Sequence, residues 1–179
     1  VQISGAAVSK PGQAFSLDSA SFVDDAASKY VSRAALKLVG ALAETGWSVQ
    51  GAKALDLGAS TGGFTQVLLE RGAAHVVALD VGHNQLVEEL RDDARVTVLE
   101  HFNARNLTDS TLPYLPDFVV SDMSFVSLRI AAEPALRLCA TRARCVLLVK
   151  PQFAVGRDGI GKGGLVRDGA LVPAMLDDM

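Results

Sequence analysis

The sequence contains few cysteines and few histidines, and this shortage excludes two classes of protein. Its 179 residues include two cysteines and three histidines, and none of them falls in a metal-spaced cluster. A zinc site and a disulfide scaffold are therefore both excluded, and Cys139 and Cys145 are better interpreted as reduced thiols in the core. We expect a protein that needs no metal and works in the reducing cytoplasm.

Two further shortages concern charge and long apolar runs. The net charge is −3, so no overall positive field attracts nucleic acid, and any RNA contact must come from a local basic patch or from a part of the protein outside this sequence. No apolar run approaches the ~18–20 residues of a membrane span, and the N-terminus lacks a secretory signal. We expect no membrane association. Hydrophobic residues make up 49% of the chain, enough for a sizeable core.

The length suits one globular domain with a small appendage. Residues 1–27 show short apolar alternation and turn residues, which is typical of a small β-rich piece that cannot hold a core alone. Residues 28–179 form the second zone. Because the sequence begins with Val in mid-pattern, we expect it to be part of a longer protein.

From Ser28 the apolar spacing is that of a helix, and Gly46 is a plausible end for it. The apolar positions of this helix are Val31, Ala34, Ala35, Leu38 and Leu42. Its spacing places three basic residues together on another face, namely Lys29, Arg33 and Lys37.

Strands and helices then alternate along the chain. The predicted strands are Ala54–Leu57, Val76–Asp80, Val96–Glu100, Phe118–Ser121 and Cys145–Lys150. The predicted helices between them are Gly62–Arg71, Asn84–Arg91 and Leu128–Leu138. The second and fifth strands are continuously apolar, so both of their faces must be covered. The pattern predicts an α/β fold with a doubly wound, Rossmann-like parallel sheet.

The strongest local feature is a glycine-rich loop after the first of these strands. It reads Asp56-Leu57-Gly58-Ala59-Ser60-Thr61-Gly62-Gly63-Phe64. Glycines at such a turn let the backbone approach a ligand closely. A dinucleotide fingerprint reads Gly-x-Gly-x-x-Gly and holds a pyrophosphate, which the acid at the start of this loop would repel. Asp56 suits a ligand with a cationic amino group and a sulfonium, which describes S-adenosylmethionine (SAM). A glycine-rich turn without a ligand is the alternative.

A second acid supports a nucleoside cofactor. Asp80 ends the next strand, and an acidic side chain at that position accepts hydrogen bonds from ribose hydroxyls.

Two charged residues fall at the carboxyl ends of the fourth and fifth strands. Asp122 follows one strand and Lys150 closes the other, and since these strands should be neighbours, both side chains are expected in one crevice. Methyl transfer to a hydroxyl needs a positioned base, and a partly desolvated lysine among other cations can serve as one. Lys37 is a candidate second cation, although a solvated helix lysine is the alternative.

The turn after the fourth strand bears on which atom accepts the methyl group. Enzymes that methylate amino groups resemble one another in an Asn/Asp-Pro-Pro-aromatic turn. The corresponding stretch here, Asp122-Met123-Ser124-Phe125, has no proline. The turn therefore favours methylation of oxygen.

Six stretches, taken in order, resemble the TlyA family of bacterial ribosomal RNA cytidine 2'-O-methyltransferases, long known as hemolysins, within the wider FtsJ-like (RrmJ) group. The stretches are Tyr30-Val31-Ser32-Arg33-Ala34-Ala35-Leu36-Lys37-Leu38, the loop from Asp56 to Thr65, Asp80-Val81-Gly82, Ser121-Asp122-Met123-Ser124-Phe125-Val126-Ser127-Leu128, Val149-Lys150-Pro151-Gln152-Phe153 and Gly161-Lys162-Gly163-Gly164. Two positions depart from the family pattern: Ala34-Ala35 replaces Gly-Gly, and His83-Asn84 replaces Tyr-Gly. His83 is interpreted as a residue of the pocket rim.

The resemblance implies the activity and the domain organisation. It implies SAM-dependent methylation of the 2'-hydroxyl of cytidine in 16S and/or 23S ribosomal RNA, with ribosomal subunits as partners. Residues 1–27 would be the end of an S4-like RNA-binding domain and its linker, and residues 28–179 a methyltransferase domain without its C-terminal strands.

The resemblance also implies roles for residues. A family tetrad of Lys, Asp, Lys and Glu carries over to Lys37, Asp122 and Lys150, with Lys150 as the base; the Glu would lie beyond Met179, which leaves the active site of this chain incomplete. The predicted cofactor-binding residues, with Asn103 on the adenine side, are Asp56, Gly58, Ala59, Ser60, Thr61, Gly62, Gly63, Phe64, Asp80, Val81, Asn103 and Asp122. Residues expected to hold RNA phosphates are Lys29, Arg33, Lys37, Arg157, Lys162 and Arg167.

Two alternative functions come from other classes of protein. One is a membrane-active protein, as the hemolysin name suggests, and the other is an RNA-binding module that keeps the SAM fold without turnover.

Overall fold

The fold is known from a computed structural model, which describes residues 2–3, 6–8, 14, 16, 21–22, 27–124, 128–153, 155, 157–170, 172–173 and 177. Among these residues lie eight strands and four α-helices. The strands are β1 (Gln2–Ile3), β2 (Ala6–Ala7), β3 (Ser21–Phe22), β4 (Lys53–Leu57), β5 (His75–Leu79), β6 (Val96–Leu99), β7 (Phe118–Ser121) and β8 (Arg144–Leu147). The helices are α1 (Ala35–Thr45), α2 (Gly63–Glu70), α3 (Glu88–Arg91) and α4 (Leu128–Arg137).

The main sheet has five parallel strands in the order β6-β5-β4-β7-β8. Its three inner strands, β5, β4 and β7, are buried along almost their whole length, as strands covered on both faces must be. The predicted α/β class and parallel, doubly wound sheet are confirmed. The chain turns from one half of the sheet to the other between β4 and β7, which is where ligands bind in sheets of this kind.

Hydrophobic layers cover both faces of the sheet. On one face, α1 and α2 pack through residues such as Leu38 and Leu68. On the other face, α4 packs with a single 3₁₀ turn, Ala104–Asn106, against Leu55 and Leu57. Side chains alternate along β4, so Leu55 and Leu57 face the α4 layer, whereas Asp56 faces α2.

The first helix is shorter than predicted. It begins at Ala35, and Gly46 ends it in a left-handed conformation with φ 65°. The segment before it is tied down differently: the side chain of Gln66 accepts from Val31 N–H and donates to the carbonyl of Lys29. The prediction that Lys29 and Arg33 lie on one helical face with Lys37 is therefore wrong, because only Lys37 belongs to the helix.

Two other elements begin or end more than one residue away from their predicted bounds. The helix expected over Asn84–Arg91 is reduced to one turn, α3, and Asn84 has a left-handed backbone with φ 56°. Glycine and asparagine adopt this conformation most readily, which explains how Asn84 can replace the glycine of the family pattern. The last strand ends at Leu147, so Lys150 lies in the loop beyond it.

The first zone contains a small antiparallel sheet with the strand order β2-β1-β3. No helix of the described residues is both long enough and apolar enough to cross a membrane.

Candidate functional site

A cavity of about 620 Å³ opens at the carboxyl ends of the parallel strands. Its volume lies within the ~300–1,000 Å³ usual for small-molecule sites. The predicted site residues that line it are Gly58, Ala59, Ser60, Thr61, Gly63, Phe64, Asp80, Val81, Asn103, Asp122 and Lys150. The lining residues that the sequence did not single out as site residues are Ser32, Ala34, Leu79, Gln85, Ala104, Arg105, Met123, Ser124 and Ala131.

The glycine-rich loop forms the floor of this cavity. The N–H groups of Gly58 and Ala59 both donate to the carbonyl of Leu79, at 2.8 and 3.0 Å, and fold the loop back over β5. Gly58 has φ 81°, and a Cβ there would lie 2.7 Å from the side chain of Met123. A larger residue would therefore push the loop away from the turn after β7.

Asp80 fixes the far side of the loop. One carboxylate oxygen accepts from Ser60 N–H at 2.8 Å, and the other accepts from Gly82 N–H at 2.7 Å. Because each carboxylate oxygen has two lone pairs, both oxygens can accept a further hydrogen bond from a ligand in the cavity.

The structure corrects the role predicted for Asp56. Its side chain is 1% exposed, does not line the cavity, and accepts a hydrogen bond at 2.7 Å from Thr65 Oγ1 in α2. Burial raises its pKa to about 7, the hydrogen bonds from Thr65 oppose this rise, and the nearby carboxylates of Asp80 and Asp122 add to it. Asp56 therefore joins β4 to α2 beneath the loop instead of facing a ligand.

Three charged side chains meet at the mouth of the cavity. Lys37 Nζ donates to Asp122 Oδ2 at 2.8 Å, and Lys150 Nζ lies 2.8 Å from Asp122 Oδ1. Oδ1 takes no well-aligned hydrogen bond from the described residues, so its contact with Lys150 is an ion pair. Lys150 instead donates to the carbonyl of Asp122 at 3.0 Å and to Ser124 Oγ at 2.6 Å.

The ends of two neighbouring strands bring this cluster together. Ser121 Oγ donates to the carbonyl of Leu57, and Leu148 N–H donates to the carbonyl of Ser121. These bonds align the ends of β4, β7 and β8, so Asp122 and Lys150 emerge side by side, as predicted. The side chains of Asp122 and Lys150 are 13% and 19% exposed, whereas that of Lys37 is 48% exposed. The ion pair of Lys150 is therefore the better shielded of the two.

Comparison with known proteins shows which family the chain belongs to. Residues 30–178 match the FtsJ-like methyltransferase family. The chain belongs to this family.

Relatives of this FtsJ-like chain include the 16S/23S rRNA (cytidine-2'-O)-methyltransferase TlyA of Mycobacterium tuberculosis, which is 53% identical over 170 residues. That alignment covers 94% of this chain and 63% of the relative, so the chain spans less than two thirds of the relative's length. Hemolysin A of Brachyspira hyodysenteriae is 46% identical over 84% of this chain and 63% of its own length. The crystal structure of a protein of Lactococcus lactis described as a hemolysin aligns with TM-score 0.80 at 41% identity, over 84% of this chain and 73% of that one. The resemblance to the TlyA family is confirmed.

Several predicted residues of the FtsJ-like chain do not line the cavity. Gly62 packs under α3 and Lys37 reaches the site only through Asp122. Residues 125–127 of the family motif and the side chain of Arg157 lie outside the described part of the structure. His83 is exposed and meets His101 edge to face at 6.3 Å. Among the described residues, no three His, Cys, Asp or Glu side chains are grouped to hold a metal ion.

Replacing Gly62 with alanine should destabilise the FtsJ-like chain by about 2–3 kcal/mol. Gly62 has φ 102°, which strains any L-residue, and an added Cβ would meet the methyl groups of Leu86 and Leu90. Urea unfolding would measure the loss. Gly40→Ala is the matched control: Gly40 lies within α1 with open space around its Cβ, so alanine there should stabilise by about 0.5–1 kcal/mol. Equal stability of the Gly62→Ala variant and the unaltered chain would contradict the inference that the loop requires glycine at position 62.

Proposed function

We propose that this chain carries the catalytic domain of a SAM-dependent methyltransferase that modifies the 2'-hydroxyl of cytidine in 16S and/or 23S ribosomal RNA. The observation that carries the proposal is the cluster of Lys37, Asp122 and Lys150 at the mouth of a cavity floored by the glycine-rich loop. The names of the M. tuberculosis relative and of a Campylobacter jejuni 23S rRNA (cytidine-2'-O)-methyltransferase support the substrate. We also propose ribosomal subunits as partners and the cytoplasm as the location.

The residues of the cavity fit SAM. Asp80 offers carboxylate lone pairs to ribose hydroxyls, and the exposed wall formed by Val81 and Asn103 suits a purine. The positive φ of Gly58 and the short distance from its would-be Cβ to Met123 exclude a side chain at this position, so the loop can stay close to the turn after β7. When bound, SAM would supply the methyl group to be transferred.

The charged cluster would prepare the accepting hydroxyl. Lys150 Nζ, as the neutral amine after it has released a proton to solvent, would take the proton from the ribose oxygen, and its contacts with Asp122 and Ser124 hold the amine towards the cavity. Asp122 would balance the charge of the ammonium that this step forms on Lys150, and Lys37 anchors the second oxygen of Asp122 from α1. Orienting the base and the acceptor in this way supplies the proximity that an in-line displacement needs.

RNA binding would use basic residues near the mouth of the cavity. Lys29 and Arg33 are exposed in the turn that precedes α1, next to Ser32 and Ala34 of the cavity wall. Lys162 and Arg167 are exposed in the segment that follows Lys150. We further propose that residues 1–27 belong to an S4-like RNA-binding domain and its linker. Dependence of the chemistry on a 2'-hydroxyl would select RNA over DNA.

The full-length protein tests the function directly. It should transfer tritium from methyl-labelled SAM to ribosomal RNA at a cytidine, and it should leave an RNA with 2'-deoxycytidine at that position unlabelled. Label on a base atom would contradict ribose methylation. Lysis of lipid vesicles by SAM-free protein, without any transfer to RNA, would favour the hemolysin alternative.

Cofactor binding gives a separate prediction for this chain. Asp80→Asn should raise the Kd for SAM at least about tenfold, because an amide offers one acceptor oxygen where the carboxylate offers two. Isothermal titration calorimetry measures the change, with Asp109→Asn, an exposed acid outside the cavity, as the control. An unchanged Kd in Asp80→Asn would remove Asp80 from the ribose site.

A further inference from the structure

One wall of the cavity is a short segment in which three consecutive backbone N–H groups are held by a single carboxylate. This wall segment, residues 82–87, joins β5 to α3 and presents Gln85 to the cavity beside Asp80 and Val81. It has no regular hydrogen-bonded structure of its own. Its shape therefore depends on the groups that its N–H donors reach.

Three of those donors converge on Glu100, which follows β6. Three backbone N–H groups donate to its carboxylate: Asn84 to Oε2 at 2.8 Å, Gln85 to Oε1 at 2.8 Å and Leu86 to Oε1 at 2.9 Å. The guanidinium of Arg91, in α3, donates to Oε2 at 2.8 Å. The Glu100 side chain is 10% exposed and does not line the cavity.

These bonds make Glu100 a strong anchor. Partial burial alone would raise its pKa, but the hydrogen bonds from Leu86, Arg91, Asn84 and Gln85 outweigh burial and lower the pKa to about 2. The group is therefore ionised over the whole range in which the protein would work. Hydrogen bonds to an ionised acceptor are roughly twice as strong as neutral ones.

The wall segment contacts Asp80 at one end and the glycine-rich loop at the other. Gly82 N–H donates to Asp80, and Gly82 in turn accepts from His101 N–H at 2.8 Å. At the other end of the segment, Val87 N–H points to the carbonyl of Thr61 at 3.4 Å, and Leu86 packs over Gly62. A shift of the wall segment would therefore move Asp80 and the glycine-rich loop together.

We propose that Glu100 is a positioning residue for the adenosine half of the cofactor, acting through the backbone of Asn84, Gln85 and Leu86. This inference rests on the proposed use of SAM. The wall segment adjoins Asp80 and Val81, whereas the groups that would act on the acceptor belong to the cluster of Asp122 and Lys150. Loss of the anchor should therefore weaken cofactor binding and leave transfer at saturating SAM nearly unchanged.

Calorimetry on this chain with SAM, S-adenosylhomocysteine and adenosine tests the inference. Glu100→Gln keeps the size of the side chain but replaces one acceptor oxygen with an amide donor, so at least one N–H loses its partner. Its Kd should rise about tenfold for all three ligands, which share the adenosine half. Glu133→Gln is the matched control, because Glu133 also pairs with an arginine but lies exposed on α4, away from the cavity. In the full-length protein, Glu100→Gln should raise the KM for SAM and leave kcat within about twofold.

The outcomes separate the two hypotheses. If the unaltered chain binds SAM and Glu100→Gln binds all three ligands equally well, the inference is wrong and the proposed function stands. If the unaltered chain fails to bind SAM, the proposed function is wrong and the inference falls with it. Should Glu100→Gln fail to fold, Arg91→Met removes one of the four bonds; a Kd about threefold higher supports the inference, and an unchanged Kd overturns it.

Discussion

Replacing Lys150 with methionine should lower the rate of methyl transfer to ribosomal RNA by roughly 10³-fold, within the 10²–10⁴-fold that a positioned general base contributes. Methionine keeps most of the length and apolar volume of lysine but has no amine to accept a proton. Lys150 is the better shielded of the two lysines on Asp122, and it donates to both the Asp122 carbonyl and Ser124 Oγ. These contacts aim the amine into the cavity.

Tritium transfer by the full-length protein under single-turnover conditions measures this rate. Lys53→Met is the matched control. Lys53 is the first residue of β4, at the amino ends of the parallel strands, and its amine lies over the ring of Tyr114. That control should transfer methyl groups at the unaltered rate. Calorimetry should show that Lys150→Met still binds SAM, which separates loss of the base from loss of the cofactor site. Transfer by Lys150→Met within about threefold of the unaltered rate would exclude Lys150 as the base.

The parallel sheet could be predicted because its signals are local. The continuous apolar run in the second predicted strand indicates a strand that is buried on both faces, and β5 is buried as expected. The run in the fifth predicted strand gave the same expectation, but β8 lies at the edge of the sheet and only Val146 is buried in it. The neighbouring positions of Asp122 and Lys150 followed from topology alone, since the carboxyl ends of adjacent parallel strands meet at one edge. The sequence therefore located the crevice and most of its lining.

The errors concern elements shaped by contacts between distant residues. The apolar spacing from Asn84 onwards is helical, but Glu100 captures the N–H groups of residues 84–86, and this leaves only one turn of α3. Likewise, the side chain of Gln66 holds the backbone at Lys29 and Val31, so α1 begins only at Ala35. Glu100 and Gln66 both lie outside the stretches of sequence in which the helical spacing of apolar residues is measured. Glu100 carried no sequence signal of its own for the same reason.

The error at Asp56 is of a different kind. The sequence placed this residue correctly at the start of the glycine-rich loop but did not show what surrounds its side chain. The acid was expected to face a cationic ligand, yet the alternation of β4 turns it towards Thr65 in α2. Among the described residues, none donates to its other oxygen, Oδ1. A buried carboxylate with one hydrogen-bond partner is costly to ionise, and this predicts a measurable dependence of stability on pH.

The stability of the unaltered chain should fall as pH rises from about 4 to about 7, and Asp56→Asn should abolish that part of the decline. Burial raises the pKa of Asp56 from 3.8 to about 7, so the folded state retains a proton that the unfolded chain releases between these values. The stabilisation is complete below pH 3.8 and is lost as pH passes through 7. Between pH 5 and pH 8 the free energy of unfolding should drop by about 2–3 kcal/mol more in the unaltered chain than in the variant.

Urea unfolding at pH 5, 6, 7 and 8 measures this difference. An asparagine amide does not titrate, and any bond that it gains or loses shifts stability equally at every pH, so only the slope is diagnostic. Asp109→Asn, at an exposed site outside the cavity, should keep the slope of the unaltered chain. Parallel curves for Asp56→Asn and the unaltered chain would mean that Asp56 is ionised in the fold at neutral pH. The base of the glycine-rich loop would then carry a buried negative charge beneath the proposed SAM site, as the acid-first pattern of the sequence first suggested.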